Sequence, residues 1–216
     1  MEMDNTQRMI ALLGRVRKQM NGAVAESMAT HGQKYGLNYG VSVATLREIA
    51  ATETKDYAFA KYLYTQQVRE LKLLACHLAT PESVAVEEFP FWSRGIQNAE
   101  LAEELAFALL SKIYDINSLM GVWSIESNEW VAYAALMAAS RNERTLSEVA
   151  FIAVENALRA NPDSRYIAEG VVALLCYIAS RDKSVTVGIP VLMERVAESS
   201  AKRHVMEELE WRLEYL

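Results

Sequence analysis

The residues that most often bind metals or act as nucleophiles are few and scattered in this chain. Its histidines are His31, His77 and His204, and no two have the four-residue spacing of a helical zinc pair. Cys76 and Cys176 each lie in an apolar helical pattern without a CxxC motif or an adjacent base, which predicts buried free thiols. No glycine-rich phosphate loop occurs. The sequence therefore predicts neither a metal site nor a cofactor.

Aromatic side chains are a second set of candidates, because their flat faces can stack on nucleic-acid bases. The tryptophans are Trp92, Trp123, Trp130 and Trp211. Tryptophans at the ends of packed helices more often fill the junctions between helices, and this core role is expected for them. The run Phe89-Pro-Phe-Trp92 is an exception, because Pro90 should break a helix and expose the aromatic residues in a loop.

The elements that must position these residues are helices. Apolar residues recur at three- and four-residue spacing almost everywhere, and no stretch shows the alternation of a strand. The spacing predicts helices over residues 4–19, 22–31, 43–52, 56–64, 67–79, 82–89, 99–112, 116–123, 128–140, 146–159, 164–180, 184–198 and 200–213.

Four similar apolar segments begin at Glu70, Glu104, Ala132 and Val171, at intervals of about one helical repeat. Such imperfect repeats indicate an all-α protein, an α-solenoid of HEAT/ARM-like antiparallel helix pairs. An irregular helical bundle is the alternative. No low-complexity linker divides the chain, so residues 1–216 are expected to form a single domain.

The chain carries a net charge of −6, and duplex DNA repels an acidic protein unless positive charge gathers on one face. The middle of the chain is locally acidic. Arg94 is the single basic residue in a stretch that contains Glu82, Glu87, Glu88, Glu100, Glu103 and Glu104. Positive charge collects at Arg15/Arg17/Lys18 and at Arg141/Arg144. These clusters are small, and solvated helix faces explain them at least as well as phosphate contacts.

The N-terminus lacks the apolar core of a signal peptide, and the longest apolar run, around residues 170–179, is too short to cross a bilayer. A cytoplasmic protein without membrane contact is therefore expected.

Three motifs connect the chain to a known family. The first is the turn Tyr35-Gly-Leu-Asn-Tyr-Gly-Val-Ser-Val-Ala-Thr-Leu-Arg-Glu-Ile-Ala50, in which the Ser42 hydroxyl can cap a helix. The others are Arg69-Glu-Leu-Lys-Leu-Leu-Ala75 and Trp123-Ser-Ile-Glu-Ser-Asn-Glu-Trp130. Together they resemble the AlkD-like DNA alkylation repair proteins, a HEAT-like repeat DNA glycosylase family, of which this chain looks like a divergent member. The resemblance covers most of the chain, but these motifs include no catalytic residue.

In active members, the resemblance implies release of a cationic alkylated base from DNA. A carboxylate stabilises the positively charged sugar and helps to position water within an aromatic-lined cleft. The family's Trp-Asp-x-Val-Asp corresponds here to Tyr114-Asp115-Ile-Asn-Ser118. Tyr114 keeps the aromatic position and Asp115 keeps the first acid, whose implied role is to cap a helix. Ser118 is neutral and stands at the catalytic carboxylate, so this candidate catalytic site is degenerate.

Two further positions depart from the family pattern. Active members place a pair of arginines at the start of the central helix, where this chain reads Trp130-Val-Ala-Tyr133-Ala134. The tryptophan of their C-terminal helix corresponds to Ala173 on an ungapped comparison. Arg141 and Arg144 follow the central helix with which active members approach phosphate. The candidate DNA-binding positions are therefore Tyr133, Arg141, Arg144 and Ala173.

These observations leave three functions open, and they leave open whether the protein is an enzyme. The first, which we favour, is a monomeric solenoid that binds duplex or damaged DNA and has lost or reduced alkylpurine glycosylase activity. The second is a protein-interaction scaffold without nucleic-acid binding, which the acidic charge favours. The third is an active alkylbase glycosylase with a cleft rebuilt around Tyr114, Asp115 and Tyr133.

Overall fold

The computed structural model describes residues 4–33 and 35–215, and within them it contains thirteen α-helices and no strand. The helices are α1 (Asn5–Arg17), α2 (Gly22–Thr30), α3 (Val43–Ala51), α4 (Tyr57–Tyr64), α5 (Arg69–Leu78), α6 (Phe89–Ser93), α7 (Ala99–Ala108), α8 (Ile116–Trp123), α9 (Glu129–Ala139), α10 (Ser147–Ala160), α11 (Arg165–Arg181), α12 (Gly188–Glu194) and α13 (Ser200–Arg212). The all-α prediction is confirmed. None of these helices is both long and apolar enough to cross a bilayer.

The chain separates into two compact units, Met1–Ser83 and Val84–Leu216. Each unit has buried hydrophobic side chains of its own. The assignment of residues 1–216 to a single domain stays a prediction.

In the first unit, the glycine-punctuated turn has a structural explanation. Gly40 adopts a φ of +69°, and a Cβ there would lie 2.0 Å from a backbone oxygen, so only glycine fits. The Ser42 hydroxyl then accepts a hydrogen bond from the Thr45 amide at 3.1 Å. This bond caps α3 as the sequence predicts.

A buried ion pair holds this turn against α5. The Glu70 carboxylate is fully buried and accepts hydrogen bonds from the amides of Tyr39 (3.1 Å) and Val41 (3.3 Å). Arg69 lies 3.0 Å from Glu70 and also donates to the Val41 carbonyl at 2.8 Å. Buried charges are stable only when they are paired and hydrogen-bonded in this way. The N-terminal motif therefore maintains the fold.

The second unit is built on a layer of parallel helices, α7, α9, α11 and α13, each packed on the next. Side-chain contacts fix the direction of α7 and α9, because Glu103 contacts Tyr133 and Phe107, further along, contacts Arg141. The helices α8 and α10 return the chain between members of this layer, and each packs against the helix that follows it. This is the antiparallel pairing of a HEAT-like repeat.

The predicted helix over residues 82–89 is not formed. Two 3₁₀ turns between residues 81 and 88 replace it and lead into α6. Pro90 lies in the first turn of α6, where its missing N–H would have had no helical partner. Phe89 and Trp92 are consequently buried, and the prediction of aromatic side chains exposed in a loop was wrong.

The expected core role of the tryptophans is confirmed for two of them. Trp92 and Trp123 are buried, whereas Trp130 is half-buried and Trp211 is 51 % exposed. The predicted helix over residues 184–198 is also shorter than expected, because a 3₁₀ turn precedes α12 and the helix ends at Glu194.

Candidate nucleic-acid interface

A cleft of about 520 Å³ opens over α7, α9 and α11. Its lining is aromatic and charged near the N-terminal halves of these helices, at Glu103, Tyr133, Arg165, Tyr166 and Glu169. Ala173 lines it further along α11, and Arg212 lines it from the end of α13. We call this the aromatic cleft. It contains two of the DNA-binding positions that the sequence indicates, Tyr133 and Ala173.

Tyr133 is the most deeply buried aromatic side chain of the aromatic cleft. Its ring is almost completely buried, and its hydroxyl donates a 2.8 Å hydrogen bond to the Glu103 carboxylate. Burial, together with that bond, raises the pKa of Tyr133 well above its ordinary value, so the phenol stays neutral. The Tyr166 ring meets Tyr133 edge to face at 5.6 Å and meets Trp130 at 4.6 Å.

Gly170 in α11 allows α11 to pack closely against Tyr133 and Leu136 of α9. A Cβ at Gly170 would lie 3.1 Å from the Tyr133 ring and 3.1 Å from the Leu136 Cβ, tighter than an ordinary contact. The absence of a side chain therefore allows α11 to approach α9 closely enough to bury Tyr133.

The aromatic cleft contains charged groups of both signs, the carboxylates of Glu103 and Glu169 and the guanidinium groups of Arg165 and Arg212. Glu169 lies 3.1 Å from the His204 ring and 3.6 Å from the Arg165 guanidinium, and Glu103 is held by Tyr133. Both carboxylates therefore have hydrogen-bond or ion-pair partners within the cleft, whose aromatic faces suit a flat group.

The C-terminal ends of the same helix layer carry arginines. Here four guanidinium groups each lie over an aromatic ring, at centroid distances of 4.1 Å for Arg141 on Phe107, 5.3 Å for Arg144 on Tyr114, 5.5 Å for Arg181 on Tyr177 and 4.9 Å for Arg212 on Trp211. We call these four arginines the arginine row. They follow α9 or end α11 and α13. Arg181 reaches the segment after α9 through the Thr145 carbonyl, whereas Arg212 also lines the aromatic cleft.

Local contacts explain why arginine is stable at these helix ends. Arg141 donates to the Met137 carbonyl (3.1 Å) and the Ser140 hydroxyl (2.8 Å), and Arg181 donates to the Thr145 carbonyl (3.2 Å). The negative end of each helix dipole adds to this stabilisation. A guanidinium has five N–H donors, so these bonds leave donors for a ligand.

The four arginines are not equally available. Glu208 accepts two bonds from Arg212, at 2.9 and 2.7 Å, and the exposed Glu143 lies 3.4 Å from Arg144. No carboxylate in the described part of the chain lies within ion-pair distance of Arg141 or Arg181. These two arginines are therefore the most available to an anion.

The candidate catalytic residues lie beside the arginine row. Tyr114 is 75 % exposed beneath Arg144, and Ser118 is exposed on α8. The helix α8 begins directly after Asp115, but the Asp115 carboxylate accepts no capping bond from its first turn. The predicted cap was wrong in this respect, because Asp115 adopts a φ of −87° and ψ of 36° and not the extended conformation of a capping residue.

The structure thus divides the predicted site residues between two places. Tyr133 and Ala173 line the aromatic cleft, whereas Arg141 and Arg144 belong to the arginine row and Tyr114 lies beside it. Sequence reasoning missed five residues, Glu103, Tyr166, Glu169, Arg181 and Arg212. One signal was available, because Tyr177 and Arg181 have the four-residue spacing that places two side chains on one helix face.

Comparison with known proteins gives a consistent result. The model of the family described as DNA alkylation repair enzyme matches residues 13–184. No curated protein matches the chain in sequence. A solved structure from a new family of proteins related to the HEAT-like repeat DNA glycosylases, with affinity for branched DNA structures, is similar with a TM-score of 0.69. The two sequences are 15 % identical, and the match covers 96 % of this chain and 94 % of the other. At this identity the match confirms the HEAT-like helical fold.

Proposed function

This chain belongs to the DNA alkylation repair enzyme family, and from that premise we propose that it binds DNA and has lost or strongly reduced alkylpurine glycosylase activity. The observation that carries the proposal is the arginine row, in which Arg141 and Arg181 are exposed and have no carboxylate partner in the described part of an acidic protein. The structural relative has affinity for branched DNA, and we include branched DNA among the ligands of this chain.

The chemistry of the arginine row suits a phosphate backbone. A guanidinium presents a planar fork of donors that matches phosphate, and stacking on a ring fixes the plane of that fork before DNA arrives. Arg141, Arg144 and Arg181 are all exposed. Since electrostatic contacts depend on local charge, the arginine row can bind DNA although the whole chain carries −6.

Weak or absent catalysis follows from the carboxylates. Ser118 cannot supply the negative charge that a developing sugar cation requires. The two carboxylates of the aromatic cleft already have partners. Glu103 accepts a hydrogen bond from Tyr133, and Glu169 contacts His204 and Arg165. A preorganised, unengaged carboxylate is therefore missing from the described cleft.

Salt-dependent DNA binding tests this proposal. Fluorescence anisotropy with a labelled duplex and a labelled four-way junction should give affinities in the non-specific range at physiological salt, about 10⁻⁶ M or weaker. The double variant Arg141→Glu/Arg144→Glu should bind more weakly and show a flatter dependence on salt.

A matched control has the same change in net charge. Arg94 and Arg203 are exposed arginines of the second unit outside the arginine row, so Arg94→Glu/Arg203→Glu should weaken binding much less. Equal losses in both variants would mean that net charge alone governs binding. If the wild-type protein fails to bind DNA even at low salt, the nucleic-acid proposal is wrong and the protein-scaffold alternative replaces it.

The aromatic cleft favours one second candidate, an active glycosylase with a rebuilt cleft. Its carboxylates would be Glu103 and Glu169 beside Tyr133, in place of the Asp115 that the sequence suggested. An excision assay separates this candidate from the first.

A further inference from the structure

A second cavity, of about 650 Å³, lies in the second unit between α12 and the C-terminal half of α13. Its floor is formed by Ile189 and Leu209, which are only 4 % and 3 % exposed. Met206 and Leu213 line its walls, and Met206 is 43 % exposed. We call this cavity the terminal groove.

The terminal groove opens where comparable helix pairs are closed. The helix α8 packs directly on α9, and α10 packs on α11, but α12 and α13 scarcely touch. The space between them is therefore of the kind that a ridge of apolar side chains from another helix can fill. Exposed apolar surface of this sort is a common mark of a protein-binding site.

One rim of the terminal groove is acidic. Glu207, Glu210 and Glu214 all line it, at positions i, i+3 and i+7 along α13 and the turn that follows. In the part of the chain that the structure describes, none of the three forms an ion pair, and no basic side chain lines the groove. Like charges at this spacing repel one another, so a cationic ligand would relieve the repulsion.

We propose that the terminal groove binds a basic amphipathic helix of a partner protein. The partner's apolar residues fill the space between α12 and α13, and its lysines or arginines pair with Glu207, Glu210 and Glu214. This is the recognition of a helix in a groove, in which apolar anchors supply affinity and charge complementarity selects the partner. DNA is excluded as an occupant, because the acidic rim repels phosphate.

This interaction is independent of DNA binding. None of the four arginines of the arginine row lines the terminal groove. Arg212 is next to Leu213 in the chain but is not among the lining residues. A partner protein and DNA can therefore be tested separately on the same variants.

A labelled synthetic peptide tests the proposal with the full-length protein. The probe is a helical peptide of leucine and lysine, with leucines on one face, and binding is measured by fluorescence anisotropy. The variant Glu207→Gln/Glu210→Gln/Glu214→Gln should raise the Kd by about tenfold at low salt, since each exposed pair contributes little and three act together. Met206→Ser should raise it as well, because it removes an apolar contact.

Control variants and peptides make the result specific. Glu87→Gln/Glu126→Gln/Glu148→Gln removes three exposed carboxylates elsewhere in the second unit and should change the Kd by less than about twofold. A leucine–glutamate peptide of the same pattern should not bind, and the Arg141→Glu/Arg144→Glu protein should bind the basic peptide normally. Circular dichroism of each variant checks that the helices are intact.

Several outcomes would overturn the proposal. They are equal binding of the acidic peptide, equal effects of the two triple variants, and no binding of the basic peptide at any attainable concentration. Sedimentation velocity adds a fourth, since a dimer that Met206→Ser dissociates would identify a second copy of the chain as the occupant.

Discussion

The aromatic cleft and the arginine row lie on the same layer of helices but differ in charge, because carboxylates and guanidinium groups both line the cleft whereas the row consists of arginines. Glu103 and Glu169 are in the N-terminal halves of α7 and α11, whereas Arg181 ends α11 and Arg141 follows α9. The positions of Arg181 and Arg141 agree with the helix dipole, which favours bases near helix C-termini. The two acids lie beyond the first turn of their helices, and α11 begins with Arg165, so the dipole does not explain them. A protein of net charge −6 can in this way present a local site for an anion.

The two regions also differ in burial, and this separates their contributions. Tyr133 is buried and connects α7, α9 and α11, whereas Arg141, Arg144 and Arg181 are exposed. Changes in the aromatic cleft should therefore affect stability first, and changes in the arginine row should affect binding first. The predictions below test this separation.

The largest effect is expected from Tyr133→Ala. This change removes a buried ring and leaves a cavity, which should lower the free energy of unfolding by about 3–5 kcal/mol. Arg141→Ala should cost about 1 kcal/mol or less, because it removes an exposed cation–π contact and two local hydrogen bonds of a side chain that stays in water. Urea denaturation measures both. Similar losses for the two variants would contradict the proposed separation.

Excision of alkylated bases should be nearly absent. With Ser118 at the carboxylate position, release of an N-alkylated purine from duplex DNA should be about 100- to 1000-fold slower than by an active family member. Gel analysis of cleaved abasic products provides the measurement. Robust excision that Glu103→Gln or Glu169→Gln abolishes would instead support the rebuilt cleft, whereas loss of that excision in Asp115→Asn alone would place the catalytic acid at Asp115.

Reversing the charge of one residue of the arginine row should have an intermediate effect on DNA binding. Arg181→Glu should weaken duplex binding by about tenfold and reduce the slope of log K against log salt by about 1, the loss of one phosphate contact. Arg203→Glu, an exposed arginine outside the arginine row, is the matched control. If Arg181→Glu leaves the slope unchanged, Arg181 does not contact the DNA backbone.

The smallest effect concerns pH. The pKa of Tyr133 is raised in the folded protein above its ordinary value of 10.0, so the folded state keeps this proton when the unfolded chain has lost it. The corresponding stabilisation is fully present below pH 10.0 and is lost as the pH rises through the folded pKa. Tyr64, whose pKa is also raised by burial, acts in the same direction. Urea denaturation at rising alkaline pH should show that the free energy of unfolding falls less steeply with pH in Tyr133→Phe than in the wild-type protein. An equal fall in both proteins would exclude Tyr133 as the source of the pH dependence.

Local patterns in the sequence were sufficient for the fold and the family. Apolar spacing predicts the helices, and the turn at Gly40 and Ser42 is defined by glycine conformation and a capping hydroxyl. The departure at Ser118 is also a matter of sequence alone. The predictions of a cytoplasmic monomer and of a single domain stay predictions.

Some errors came from local signals that packing overrides. Pro90 reads as a helix breaker, but it lies in the first turn of α6, and the surrounding core buries Phe89 and Trp92. Asp115 reads as a cap, but its backbone conformation directs no capping bond to α8. Both outcomes depend on how the chain enters a helix, which a short motif does not define.

The pairing of distant residues was decided only by tertiary structure. Glu103 and Tyr133 are 30 residues apart, and Arg141 meets Phe107 across two helices. The sequence determined that these helices exist and which residues face the core, because that follows from periodicity within one helix. Only the packing of α7, α9, α11 and α13 brought Glu103, Tyr133 and Tyr166 into one cleft and placed Arg181 beside the segment that follows α9.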